Sequence, residues 1–155
     1  MFLLTVIVDL TVAVEVGLIA ACLTFIYRIS SLSRAEHVQA DAFPELTGHD
    51  TAVHAHRLYG ALFFGAVKLV EAIEESLPTQ AVVLDLKNLI YVDSSGADAL
   101  LALARSCKKK KVRLILCGLG HQPLDMAQRS GLVHALPDTD LVPDLSRGMA
   151  LALGR

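Results

Sequence analysis

Asp93-Ser94-Ser95-Gly96 sets a carboxylate and two hydroxyls between the apolar run Val82-Val83-Leu84-Asp85-Leu86 and a helix predicted over Ala97–Cys107. At a helix N-terminus the free backbone N–H groups and the helix dipole favour negative charge, so a phosphoryl group on serine would be accommodated there. The turn brings no general base, no metal-ligand set and no substrate cleft. Its chemistry is that of a segment to be modified or docked against. A plainer reading needs no modification. Asp93 or Ser94 could satisfy the first N–H groups of the helix, and Ser95-x-x-Asp98 has the spacing of a capping box.

Other polar groupings are less specific. Lys108-Lys109-Lys110-Lys111, flanked by Arg105 and Arg113, is the densest charge in the chain. Falling between a helix and a strand, it reads as a solvated loop that complements the helix C-terminus. The same cations could meet anionic lipid of the cytoplasmic leaflet or an acidic partner. Nucleic acid is a poor fit, because no aromatic residues interleave the lysines and the formal net charge is −2. Among six histidines, His54 and His56 share one strand face, but no third ligand is evident, so a surface role is expected and no metal site. Gly118-x-Gly120 lacks the third glycine of a dinucleotide loop. With no triad and no paired carboxylates in a credible cleft, the chain reads as a non-enzyme without a cofactor.

These residues need elements to hold them. The 155-residue chain is 54% hydrophobic, with mean hydropathy +0.52, and the excess is concentrated at one end. Phe2–Tyr27 contains only Asp9 and Glu15 as charged residues, and roughly 20 apolar residues suffice to cross a bilayer. No basic region precedes this run, which argues against a signal peptide. Arg28 and Arg34 follow it, so the positive-inside rule puts the remainder in the cytoplasm, at the inner (plasma) membrane. Asp9 and Glu15 are costly inside a bilayer and belong in the interior of a larger helix bundle, Thr5 and Asp9 on one face and Thr11 and Glu15 on another; snorkelling near an interface is the alternative. Cys107 and Cys117 are expected as reduced, buried thiols and Cys22 lies in the span.

Three segments follow: a transmembrane helix over 1–29, a polar linker over 30–50 with Pro44 and Gly48, and an α/β domain over 51–155. Within the domain, Ala52–Leu58 alternates as a half-exposed strand, Gly60 marks a turn and Leu62-Phe63-Phe64 is a short buried strand. A helix runs from Gly65 to about Leu77, where Pro78 ends it. Ala81–Leu86 and Val112–Cys117 are buried strands. Pro123 suits the first turn of a helix stopped at Gly131, and Pro143 opens a last helix to about Leu153. The expectation is a small mixed sheet of about four strands with about four helices packed on it.

Taken together, these stretches resemble the STAS domains of SulP anion permeases. Gly60-Ala61-Leu62-Phe63-Phe64-Gly65 is similar to the start of transporter-linked STAS domains, and Val83-Leu84-Asp85-Leu86 with Val92-Asp93-Ser94-Ser95-Gly96 is similar to their central strand and signature turn. Leu116-Cys117-Gly118-Leu119 and Gly131-Leu132 match later landmarks. Leu4–Ser30, with Val8-Asp9-Leu10-Thr11 and Glu15-Val16-Gly17, resembles the last transmembrane helix of the permeases. The resemblance implies a regulatory and assembly domain of a secondary sulphate or bicarbonate transporter. The chain is then its C-terminal part, and cannot transport alone because one helix encloses no pathway. It also implies Ser95 as phosphoacceptor. Expected partners are the transporter membrane domain, a second copy, anionic lipid, and a kinase or other cytoplasmic regulator. The alternative is a membrane-tethered anti-sigma factor antagonist switched at Ser95.

Overall fold

The computed structural model describes residues 2, 6, 9–38, 44, 48, 51–64, 67–136 and 141–154. Thr5, Gly65, Ala66 and, of the expected linker, residues 39–43, 45–47, 49 and 50 lie outside the described residues. The chain divides into two units, Met1–Leu32 and Ser33–Arg155.

The first unit carries helix α1, Asp9–Leu32, of 24 residues with a mean hydropathy of 2.1 and no buried side chain. Among the described residues it is the one helix long and apolar enough to cross a membrane. A polar residue within such a helix can turn its hydroxyl back on the preceding turn, as Thr24 does to the carbonyl of Ala20 at 2.8 Å.

In the second unit the strand order is β1 (Arg34–Val38), β2 (Val53–Leu62), β3 (Ala81–Asp85), β5 (Arg113–Cys117) and β6 (Leu141–Val142), with β4 (Leu89–Val92) pairing β2 beyond the end of β3. β1 is antiparallel to β2, His37 facing His56 and Val38 facing Ala55. The remaining pairs are parallel, Arg57 level with Asp85 and Asp85 level with Cys117. Parallel neighbours require crossovers, and helices supply them: α2 (Val67–Glu75), α3 (Ser94–Lys110), α4 (His121–Arg129) and α5 (Leu132–Ala135), with α6 (Leu145–Ala152) following the last strand.

The side-chain period of two divides the core. Leu58, Val82, Leu84, Leu114 and Leu116 point to the face covered by α2 to α5, against Val70, Ile73, Leu100 and Leu103. Val53, Ala55, Val83, Ile115 and Cys117 point to the other, packed by Leu145 and Met149 of α6. β3 is buried along its whole length. Each fully buried Val or Leu there contributes about 1.5–3 kcal/mol.

Three expectations need correction. Part of the expected linker is ordered sheet, because Arg34–Val38 forms edge strand β1. Gly60 ends no strand: β2 runs through it with φ 86° and a register shift to Ala61, a bulge that only a residue tolerant of positive φ takes at little cost. Phe63 and Phe64 therefore lie past the strand end, with Phe64 exposed. Among the described residues the sheet has six strands, and five helices follow α1.

Candidate functional site

The signature turn sits where β2 and β4 end side by side and α3 begins. The N–H of Asp93 donates to the carbonyl of Leu62 at 3.1 Å, which ties the turn to the end of β2. Asp93 is extended (φ −92°, ψ −177°) and is the N-cap: its Oδ1 accepts from the N–H of Gly96 at 2.8 Å. The capping box expected from Ser95 and Asp98 does not form, because helix α3 starts at Ser94 and both serines stand in its first turn. Ser94 is exposed and Ser95 half-buried. The carboxylate, not a hydroxyl, satisfies the helix end.

Gly96 is present for space. A Cβ on it would lie 2.3 Å from the carbonyl oxygen of Leu62 and 2.9 Å from that residue's Cγ, closer than atoms can pack. The absent side chain lets α3 start directly against β2. Sequence reasoning missed Gln122, at the start of α4. Its Nε2 donates to the carbonyl of Val92 at 2.8 Å and its Oε1 accepts from the Val92 N–H at 2.9 Å. One side chain thus pairs both backbone groups of the residue before Asp93. The lone signal is an amide at the head of a helix, which sequence alone cannot aim.

Exposed apolar side chains lie on β4 and just past the end of β2, the two strands that lead into the turn. Phe64 is 68% exposed, Ile90 78% and Tyr91 48%. Phe63 and Phe64 meet edge to face, their centroids 5.7 Å apart. At the end of β3, Asp85 is the buried charged residue of the described core; its Oδ2 accepts from Arg57 Nε at 3.0 Å and its Oδ1 from the N–H of Lys87 at 3.1 Å. The Tyr59 hydroxyl and then the Asp85 carboxylate raise the Arg57 pKa, against a lowering by burial.

The other polar groupings stand apart from the turn. Lys108, Lys109 and Lys110 form the last turn of α3 rather than a loop, and Lys111 closes it in the left-handed region (φ 60°). All four lysines are exposed, at the opposite end of α3 from the signature turn. Their charge complements the helix C-terminus. Asp9 and Glu15 lie on α1 with Thr11, in the other unit of the chain. Cys107 and Cys117 are free and buried, and burial is the main cause that raises their thiols to about 11 and about 12.

His54 and His56 are half-buried rather than on the surface, and β1 brings His37 beside them. Among the described residues no group of three or more His, Cys, Asp or Glu is arranged to hold a metal ion.

A family comparison places this geometry. Residues 44–145 match the STAS domain model, taking in the sheet from β2 onward, the signature turn and the start of α6. The chain belongs to the STAS-domain family. The STAS domain here is homologous to those of SulP transporters. A putative sulfate transporter, YvdB of Bacillus subtilis (strain 168), is 29% identical over 141 residues, 87% of this chain and 26% of YvdB. The chain therefore spans about a quarter of the length of that curated relative. Among solved structures, the SulP transporter STAS domain from Vibrio cholerae superposes with a TM-score of 0.60 at 21% identity, over 75% of this chain and 96% of that one. The murine anion transporter Slc26a9 superposes with a TM-score of 0.67 at 15% identity, over 92% of this chain and 25% of its own. At such identities these structures establish the STAS fold.

Proposed function

We propose that this chain is the C-terminal part of a SulP-type secondary anion transporter for sulphate or bicarbonate. In this reading α1 is the last transmembrane helix, and the STAS domain is a cytoplasmic regulatory and assembly module. One observation carries it: an apolar helix of bilayer length and a STAS domain lie on one chain, and a match over 87% of that chain cannot be contained in residues 44–155. The likeness to YvdB therefore runs back into the helix.

The fragment has no pathway of its own, since a single helix satisfies its backbone internally but encloses nothing. Asp9 and Glu15 fit a helix that packs among others, where carboxylates meet polar groups rather than lipid. The STAS domain docks on the membrane domain through Phe64, Ile90 and Tyr91, which leave apolar area uncovered next to a rigidly held turn. The exposed lysines that end α3 add attraction to anionic headgroups or an acidic partner.

The test is radiolabelled sulphate and bicarbonate uptake by the full transporter bearing this sequence, with and without residues 33–155. Uptake is expected to fall while the membrane domain still inserts. Unchanged uptake at unchanged membrane level would remove the regulatory role.

A second reading, a membrane-tethered antagonist switched by a kinase, draws on a separate observation: capping by Asp93 leaves the Ser94 and Ser95 hydroxyls out of the helix cap. A phosphoryl group on Ser95 would add charge at a helix N-terminus and change docking. Phosphate analysis of protein from its native host, with Ser95→Ala as control, decides it; Ser95 unmodified under all growth conditions excludes the switch.

A further inference from the structure

A cleft of about 480 Å³ opens where α3 ends, β5 begins and α5 ends. Its apolar floor follows from two sequence periods. Ala104 and Cys107 share one face of α3 with Lys108, at helical spacings. Val112 and Leu114 share the strand phase that points to the helices, and Leu136, just past α5, completes the floor. Lys111, in the left-handed region, returns the chain sharply, so the Val112 N–H donates to the Cys107 carbonyl at 2.8 Å and the strand starts against the helix end. Cys107 belongs to the floor as an uncharged group: burial first, then Glu74, raise its thiol to about 11.

The rim is polar. Lys108 stands on the α3 wall and His134 on the α5 wall, both exposed. Arg113 lines the cleft as well, while its guanidinium donates to the Leu151 carbonyl at 3.4 Å. A helix C-terminus presents about half a negative charge. The four lysines that end α3 exceed that several times over, so the helix end carries surplus positive charge. Glu74 acts on the Cys107 thiol, but it accepts from the Ser106 hydroxyl in the separate groove between α2 and α3.

We propose that this cleft binds a small organic monoanion with an apolar body, of the class of a medium-chain carboxylate. The carboxylate sits at the rim between Lys108 and His134, and the chain lies on Cys107, Val112, Leu114 and Leu136. An apolar hollow of roughly 300–1,000 Å³ with a few polar groups to orient the ligand is the usual form of a small-molecule site. An inorganic anion would meet the cations and leave the floor unused. A neutral apolar molecule would fill the floor and leave the cations unanswered. Only a ligand with both parts uses the whole cleft. The site lies about 20 Å along α3 from the signature turn, so a ligand there leaves the turn uncovered.

Photolabelling tests this on the full chain in nanodiscs of zwitterionic lipid, with an octanoate analogue that carries a diazirine on its chain. Adducts mapped by mass spectrometry are expected on peptides covering residues 104–114 and 132–136, and unlabelled octanoate is expected to compete them away. Sulphate and octanol are each expected to compete at least about tenfold less well, since each lacks one half of the contact. Lys108→Glu with His134→Glu changes two exposed side chains and keeps the fold, and labelling of these peptides is expected to fall about tenfold.

Adducts spread evenly along the chain, or labelling unchanged in the double variant, overturn the site. Competition by octanol or sulphate as effective as that by octanoate overturns it too, leaving a merely apolar hollow or a bare anion site. Dihexanoyl phosphatidylglycerol that competes better than octanoate also overturns it, by assigning the cleft to an anionic lipid.

Discussion

Because Asp93 caps α3 and Ser95 does not, the two polar residues of the turn separate cleanly in their effect on stability. Asp93→Ala removes the acceptor for the Gly96 N–H and is expected to cost about 0.5–2 kcal/mol. Ser95→Ala removes a half-buried hydroxyl outside the cap and is expected to stay within about 0.5 kcal/mol of the parent. Urea unfolding followed by circular dichroism measures both; a Ser95→Ala loss as large as that of Asp93→Ala would show the serine to be structural after all. The distinction matters for function. A change in docking or uptake caused by Ser95→Ala can then be ascribed to the hydroxyl or its phosphate and not to a loosened helix. Gln122 belongs to the same scale. It holds Val92 by both backbone groups, so the turn is fixed from a helix 30 residues away in sequence.

At the scale of elements, the close start of α3 on β2 makes Gly96 the most sensitive small residue of the site. Its missing Cβ would face a backbone carbonyl, which cannot rotate away, so Gly96→Ala must lift the helix from the strand. A cost of about 1–3 kcal/mol is expected, with loss of protection at Asp93 and Ala97. Thermal unfolding and amide exchange read it, and an unchanged melting temperature would contradict the packing. What was legible in the sequence follows the same physics. β3 and β5 were readable because burial on both faces leaves near-continuous apolar runs. Helix α3 is readable from its apolar spacing, but it starts at Ser94 rather than at Ala97, since Ser94-Ser95-Gly96 reads as turn chemistry until Asp93 is seen to cap it. β1 was hidden because Arg-Ala-Glu-His-Val is a mostly exposed edge strand with no apolar alternation. β4 and β6 are too short to carry a period. Gly60 misled because a bulge and a turn draw on the same conformational freedom.

On the scale of the whole molecule, the domain leaves three large apolar side chains in water next to its best-fixed turn. The core does not need them, since Leu62, Leu89 and Val92 already fill the interior beneath. Isolated exposed apolar residues are ordinary, but a group on the strands that lead into one rigid turn marks a contact surface. Phe64 follows β2 and Ile90 lies on β4; the Asp93 N–H ties the end of β2 to the turn, and Gln122 holds the end of β4 to α4. Such a surface needs little ordering on binding, which favours affinity. Phe64→Ser with Ile90→Ser is therefore expected to fold as the parent does, within about 0.5 kcal/mol, because both side chains are already hydrated. In the full transporter the same pair is expected to lower anion uptake toward the level seen without residues 33–155, at unchanged membrane abundance. Uptake measured beside unfolding separates the outcomes. Loss of uptake with intact stability puts the docking face at the turn, whereas full uptake with intact stability moves it to another part of the domain, and the lysines that end α3 then become the surface to change next.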